Sequence, residues 1–285
     1  MKHQHLQGLS AAGFHRIAYT EWGEADNPRV LVCVHGLTRN GRDFDALAAA
    51  LADHYRVLCP DVVGRGRSDW LRDPAGYGYP QYLADMTALV ARSGAQRVDW
   101  VGTSMGGLIG MLMAGQPGTP IGRLVMNDVG PFIPRDALAR IAAYVGDDPR
   151  FADRTALDAY LRRIYAPFGP FTDAQWQALV DSTVRETVQG DIALAYDPGI
   201  AVPLRAAPAR DVDLWPVWDR VACPVLVLRG ATSDVLRRVD AEAMTRRGPK
   251  ARLHEFAIIG HAPSLMSPEQ IALVRDFLLA DAARG

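Results

Sequence analysis

Gly102-Thr103-Ser104-Met105-Gly106 follows the apolar run 98–101 and leads into a stretch of helical pattern. Small residues two positions to either side of Ser104 let the backbone turn sharply from strand into helix, so that the hydroxyl projects while neighbouring N–H groups face the same space. A serine hydroxyl is a weak nucleophile until a base takes its proton, and that base is most often a histidine oriented by a carboxylate. Two later segments offer such partners. Arg229-Gly230-Ala231-Thr232-Ser233-Asp234 comes after the apolar run 225–228 and places Asp234 beyond a strand end. Ile258-Ile259-Gly260-His261-Ala262-Pro263 comes after the run 253–257 and carries His261. The three residues Ser104, Asp234 and His261 are therefore the predicted nucleophile, acid and base. Acyl transfer also needs donors for the oxyanion of its tetrahedral intermediate. The N–H of Met105, directly after the nucleophile, is one candidate. The N–H of Leu37, in His35-Gly36-Leu37-Thr38 after the run 30–34, is the other. His35 itself reads as a support for that loop and not as a proton carrier.

These residues need a frame that gathers strand ends on one side. Short Val- and Leu-rich runs at 30–34, 56–59, 98–101, 124–127, 225–228 and 253–257 alternate with amphipathic stretches at 44–51, 79–93, 105–114, 241–247 and 268–280. Continuous apolar runs separated by helix-length segments predict a mostly parallel sheet, buried on both faces by helices and joined by right-handed crossovers. The alternation stops between Pro131 and about Asp213, where the pattern becomes helical, with predicted helices at 135–145, 155–164 and 173–188. This predicts a core of residues 1–130 and 214–285 with a helical cap inserted at 131–213, over the carboxyl edge of the sheet where open α/β sheets bind ligands. Cap aromatics, with Tyr144, Tyr165, Phe168 and Trp176 foremost, either line a pocket or form the small core of the insertion. The arginines of the cap, Arg135, Arg140, Arg150, Arg154, Arg162 and Arg163, read as solvated helix faces.

Composition narrows the function classes. With 285 residues, 49% hydrophobic and 22% charged, and a formal net charge of −1, the chain has no electrostatic bias toward nucleic acid or an anionic membrane. The glycines and arginines of 61–68 could suggest a phosphate cradle, but no Gly-Lys-Ser/Thr follows, and the segment reads as a structural turn stabilised by Arg65 and Arg67. Cys33, Cys59 and Cys223 are odd in number and far apart, which predicts buried thiols and neither a disulfide framework nor a zinc site. No segment approaches the roughly 20 apolar residues that cross a bilayer. Positions 1–10 lack the apolar run of a secretory signal, so the cytoplasm is the expected location.

His35-Gly36, Asp61-Val62-Val63-Gly64-Arg65-Gly66-Arg67-Ser68, Gly102-x-Ser104-x-Gly106-Gly107, the Asp234 loop and Gly260-His261 occur in an order that resembles the α/β-hydrolase fold superfamily, in particular its capped esterase and lipase-like members. The resemblance spans nearly the whole chain. It implies an eight-stranded, mostly parallel sheet, a helical cap, no metal and no cofactor, and cleavage of a small carboxylic ester through an acyl-enzyme. Some members place the acid where Asp128 stands, after the run 124–127. Thr38-Arg39-Asn40 departs from the small or Gly-rich residues that relatives often carry there. The same triad is compatible with C–C cleavage of diketo acids or with lactone opening, and a ligand receptor with a relic site is the non-enzymatic alternative.

Overall fold

The computed structural model describes residues 1–206 and 208–280; the last five positions of the predicted core segment, 281–285, lie outside the described residues. Eight strands form the main sheet: β1 (Lys2–Ser10), β2 (Gly13–Trp22), β3 (Val30–Val34), β4 (Arg56–Pro60), β5 (Val98–Thr103), β6 (Ile121–Asn127), β7 (Val225–Gly230) and β8 (Arg252–Phe256). Their spatial order is β1-β2-β4-β3-β5-β6-β7-β8. The pairs from β4 to β8 are parallel, and β2 runs antiparallel to both β1 and β4. Helices α1 (Asp45–Leu51), α2 (Tyr79–Ser93) and α3 (Met105–Ala114) follow β3, β4 and β5. Between β6 and β7 lie α4 (Arg135–Tyr144), α5 (Arg154–Ile164), α6 (Asp173–Thr183), α7 (Ala201–Arg205) and α8 (Trp215–Trp218), and α9 (Arg238–Met244) and α10 (Pro268–Leu279) follow β7 and β8.

The apolar runs have a direct explanation in this arrangement. Successive strand side chains point to opposite faces. On β3, Val30, Val32 and Val34 join a cluster with Met86 and Leu89 of α2 and Leu108 of α3, whereas Leu31 and Cys33 join Leu47 of α1 and Val274 of α10. Strand β7 divides in the same way, with Val225 and Val227 on one side and Leu226 and Leu228 on the other. A strand covered by helices on both faces therefore has no polar alternate positions. The β1–β2 hairpin was not foreseen from the sequence. It forms the antiparallel edge, and His3, Gln4, His5 and Gln7 of β1 face solvent, which masks its alternation. Of the cysteines, Cys33 and Cys59 are buried thiols, while Cys223 is only partly covered.

The segment between β6 and β7 leaves and rejoins the core through one neck. Phe132–Ile133 pairs antiparallel with Val212–Asp213, and the Leu214 N–H donates to the Pro131 carbonyl at 2.7 Å. Within the segment, the Thr172 hydroxyl accepts from the Gln175 N–H while the Gln175 side chain accepts from the Thr172 N–H, a reciprocal cap that starts α6. Helix α6 stops at Thr183 and not at 188 as the pattern predicts, because Val184 turns extended and Val184–Glu186 pairs with Ile192–Leu194. Among the described residues, no helix is long and apolar enough to cross a membrane.

Candidate active site

The turn from β5 into α3 explains the spacing around Ser104. Ser104 sits at φ 51° and ψ −114°, a left-handed backbone that is strained for a residue with a side chain. A Cβ on Gly106 would lie 1.9 Å from the Val34 carbonyl oxygen, and one on Gly102 would lie 2.2 Å from the Gly106 backbone. Only glycine at both positions lets α3 start this close to β3 and fold back on β5. The Ser104 N–H donates to the Asn127 carbonyl at 2.9 Å, which ties the turn to the end of β6.

Asn127 and Asp128, at the end of β6, organise the rest. The Asn127 amide donates to Thr103 Oγ1 at 3.0 Å and to the Pro263 carbonyl at 2.7 Å, so it joins the serine turn to the loop that carries His261. His261 Nε2 lies 2.9 Å from Ser104 Oγ, and His261 Nδ1 lies 2.7 Å from Asp128 Oδ2. The Asp128 carboxylate is wholly buried. It also accepts from the Gly230 N–H at 2.8 Å and from the Ser233 hydroxyl, so its charge is held by three donors.

Asp234, the predicted acid, is elsewhere. Its carboxylate takes a bidentate pair from Arg140 of α4, at 2.6 and 2.9 Å, and both side chains are 48% exposed. Ser233, one residue earlier, turns inward to Asp128 and leaves Asp234 on the other side of the loop, toward the inserted segment. The carboxylate beside His261 is therefore Asp128, and the expectation for Asp234 is corrected. Arg140 is half exposed, as expected of a solvated helix face, but its pair with Asp234 also makes it span insertion and core.

Leu37 and Met105 both line the space above Ser104. Neither N–H has a protein acceptor among the described residues. Met105 is the first residue of α3, where helix N–H groups are free by construction. His35 fixes the Leu37 loop from below. Its Nε2 accepts from the Val62 N–H at 2.9 Å, so Nδ1 carries the proton and donates to the Gly36 carbonyl at 2.7 Å. Burial drives the His35 pKa down to about 3, which keeps the ring neutral. The 61–68 turn is gripped from within: Asp61 accepts from the Gly41 and Arg67 N–H groups at 2.8 Å each, although burial raises its pKa to about 6.

A cavity of about 890 Å³ opens on Ser104 and His261. Tyr144, Tyr165 and Phe168 of the inserted segment line it, as do Tyr160 and Phe171. Trp176 does not. Its ring packs edge-on against Phe171 at 4.8 Å between centroids, and the Arg162 guanidinium lies 5.1 Å from its centroid. It belongs to the small core of the insertion, so the expectation that it contacts substrate is corrected. Two arginines brace the loops beneath this layer, and one of them, Arg39, reaches into it. Arg39 donates to Asp43, to Tyr165 Oη at 3.2 Å and to Thr183 Oγ1 at 2.8 Å, and Arg65 donates to the Leu37 carbonyl at 2.8 Å. Their only sequence signal is a basic residue inside each of the two Gly-containing loops that flank the serine turn. Among the described residues, no three His, Cys, Asp or Glu side chains converge as metal ligands.

A hydroxyl, an imidazole and a buried carboxylate in line beside two unoccupied N–H donors can carry out nucleophilic acyl transfer. Comparison with known proteins agrees with this chemistry. Residues 31–273 match the alpha/beta hydrolase family. The chain is 49% identical over 281 residues to a 3-hydroxybutyrate-oligomer hydrolase of Cupriavidus necator, a match covering 95% of this chain and 96% of that protein. A crystal structure of an alpha/beta hydrolase from Novosphingobium aromaticivorans superposes with a TM-score of 0.85 at 39% identity, over 97% of this chain and 98% of that one. A Rickettsia typhi structure superposes with a TM-score of 0.92 at 32% identity, over 98% and 99%. With a family match that runs from β3 into α10, this chain belongs to the alpha/beta hydrolase family, and it is a hydrolytic enzyme.

Proposed function

We propose that this enzyme hydrolyses the ester bonds of short hydroxyacyl oligomers of the 3-hydroxybutyrate type, with Ser104 as nucleophile, His261 as general base and acid, and Asp128 as the carboxylate that orients His261. The reading is carried by the unbroken line from Asp128 Oδ2 through His261 to Ser104 Oγ, with separations of 2.7 and 2.9 Å, at the base of the cavity. In this mechanism His261 Nε2 takes the Ser104 proton as Oγ bonds to the ester carbon. The Leu37 and Met105 N–H groups receive the oxyanion. Collapse breaks the ester C–O bond, and the leaving alkoxide takes the proton from His261. A water molecule, deprotonated by His261, then cleaves the acyl-enzyme to the free acid and restores the serine.

The substrate class is supported by the relative named above and by the cavity lining. Of the nine tyrosines in the chain, seven line the cavity. Their rings offer apolar contact to the methyl branches of such an oligomer, and, apart from Tyr77 and Tyr196, which donate to Asp197 and to the Asp147 carbonyl, their hydroxyls offer donors to its ester carbonyls. Tyr165 Oη accepts from Arg39 and Tyr82 Oη accepts from Arg65, which leaves each phenol proton free to donate. Residues 131–213 act in this reading as a cap that shapes the acyl and alcohol subsites, with Tyr144, Tyr165 and Phe168 as substrate contacts.

The test is release of 3-hydroxybutyrate from its linear dimer and trimer, run beside p-nitrophenyl acetate, a lactone and a diketo acid. The expected result is turnover of the oligomers above the lactone and diketo acid, together with fluorophosphonate labelling that is abolished in Ser104→Ala. An S104A protein that retains esterase activity would end the reading. Faster cleavage of the diketo acid would move the activity to carbon–carbon hydrolysis.

A further inference from the structure

The described structure buries three arginines, Arg39, Arg65 and Arg229. Arg39 has Asp43 as its carboxylate partner, and Arg229 has Glu255. Arg65 is the most deeply buried of the three, with no exposed surface, and among the described residues no carboxylate lies within ion-pairing distance of it. Its acceptors are all neutral: the Leu37 carbonyl from Nε at 2.8 Å, and the Val63 carbonyl and Tyr82 Oη from Nη1 at 2.7 and 3.0 Å. Nη2 is 3.8 Å from Met105 Sδ, and the guanidinium lies 5.1 Å from the Tyr82 ring centroid and 5.6 Å from that of Tyr77.

A buried cation without a counter-ion is costly, and dipoles and aromatic faces hold it without cancelling its field. Outside its own loop it grips Tyr82, Leu37 and Met105, and the last two line the cavity above Ser104 with N–H groups that have no protein acceptor among the described residues. We propose that Arg65 is a positioning residue for the oxyanion site: it fixes Leu37 and Met105 from behind and supplies a standing positive charge whose counter-ion is the negative oxygen formed during acyl transfer. The inference rests on the acyl-transfer reading above.

The local geometry supports each half of this. The Leu37 N–H belongs to the peptide that begins with the Gly36 carbonyl, and that carbonyl is held by the His35 Nδ1–H at 2.7 Å. In a trans peptide the N–H points opposite to the carbonyl, so anchoring the oxygen aims the hydrogen away from His35. Arg65 anchors the next carbonyl, that of Leu37 itself, and the residue is clamped on both sides. The electrostatic half follows from timing. In the resting enzyme and in the bound ester the carbonyl oxygen is nearly neutral and gains little from a nearby cation. In the tetrahedral intermediate it bears a full negative charge within a poorly screened site, so the gain falls on the transition state and not on binding.

The test uses Arg65→Met, which removes the charge at similar volume, and Arg65→Lys, which keeps it, with circular dichroism and thermal unfolding as checks on folding. Rates are read on p-nitrophenyl acetate. A trifluoromethyl ketone serves as the oxyanion probe, because Ser104 adds to it to form a charged hemiketal. R65M is expected to lower kcat by about 30- to 100-fold, less than the loss of a direct oxyanion donor, with KM within about threefold of wild type. Ketone affinity should weaken by the same factor as kcat, affinity for the uncharged amide analogue of the ester should stay unchanged, and R65K should recover most of both losses. If R65M does not fold, Arg65→Gln carries the same expectation. A folded neutral variant with kcat and ketone affinity within about twofold of wild type overturns the proposal. So does a loss that R65K fails to recover, or one shared equally by KM and affinity for the uncharged amide analogue. Failure of the ketone to inhibit the wild-type enzyme overturns the acyl-transfer reading, and this inference with it.

Discussion

The turn after β6 and the loop after β7 lie side by side at the carboxyl edge of the sheet, and each carries an aspartate beside the cavity region, yet the two groups have opposite surroundings. Asp128 is wholly buried and held by the Gly230 N–H, the Ser233 hydroxyl and His261. Asp234 is half exposed and spends both oxygens on Arg140, which reaches down from α4. A carboxylate fixed by several donors inside the protein keeps one orientation and can set the tautomer and angle of an imidazole. One shared with a solvated arginine is screened and exchangeable, and surface pairs of that kind contribute only about 0–1 kcal/mol. The first aspartate is built to hold the histidine, and the second to hold the inserted segment.

The strongest way to break this comparison is to neutralise each aspartate in turn. Asp128→Asn keeps the shape but removes the charge and offers an amide to His261 Nδ1, so the ring is held in the wrong tautomer. Loss of the carboxylate in such triads lowers kcat by about four orders of magnitude, and a fall of at least about a thousandfold is expected here. Asp234→Asn should change kcat by no more than about threefold, an effect that added salt diminishes. Steady-state kinetics on p-nitrophenyl acetate decides it. The reverse ranking would make Asp234, and not Asp128, the carboxylate of the proposed triad.

A second comparison sharpens the first, because the insertion is tied to the core at a buried end and at an exposed one. Arg39, nearly enclosed, donates to Asp43, Tyr165 and Thr183, whereas Arg140 pairs with Asp234 at an exposed position. Removing one partner of a buried pair costs about 3–5 kcal/mol, and Arg39→Met should fall near the lower end because the Asp43 side chain still reaches water. Arg140→Ala should cost about 0–1 kcal/mol. Urea unfolding measures both. Equal losses would mean that the two anchors do not differ as their burial implies.

What could be read from the sequence follows the range of the forces involved. Ser104 was legible because its turn is local: the glycines at 102 and 106 are demanded by backbone contacts that the short motif itself creates. His261 was legible because it follows the last strand. The carboxylate beside His261 was not, since β6 and β7 are adjacent strands and both end in a polar loop with an aspartate. Which carboxylate turns inward depends on Ser233 and Gly230 meeting Asp128, a contact more than a hundred residues apart in the chain. The buried strands announced themselves through unbroken apolar runs. The β1–β2 hairpin, exposed along one side, carried no such run and passed unread. Trp176 shows the same limit inside the insertion, where helical spacing of aromatics does not say whether a ring faces the cavity or its neighbour Phe171. Arg65 was read as a stabiliser of its turn, but that it and Arg39 are buried follows only from tertiary packing.

The two histidines at the site give the finest contrast. His261 faces the cavity, whereas His35 is sealed and neutral, with Nε2 engaged by the Val62 N–H and Nδ1–H by the Gly36 carbonyl. Burial lowers the His35 pKa from 6.5 to about 3, so as the pH drops through this interval the unfolded chain takes up a proton that the folded protein refuses. Its contribution to stability is therefore complete above 6.5 and is lost progressively toward 3. Asp61 opposes it, because burial raises its pKa from 3.8 to about 6 and the folded protein gains a proton there before the unfolded chain does. Comparing wild type with His35→Gln cancels the Asp61 part. The stability gap between the two, measured by denaturant unfolding, should be widest near pH 7.5 and narrow steadily as the pH is brought to 4. Parallel curves would mean that His35 is not the sealed neutral ring described here.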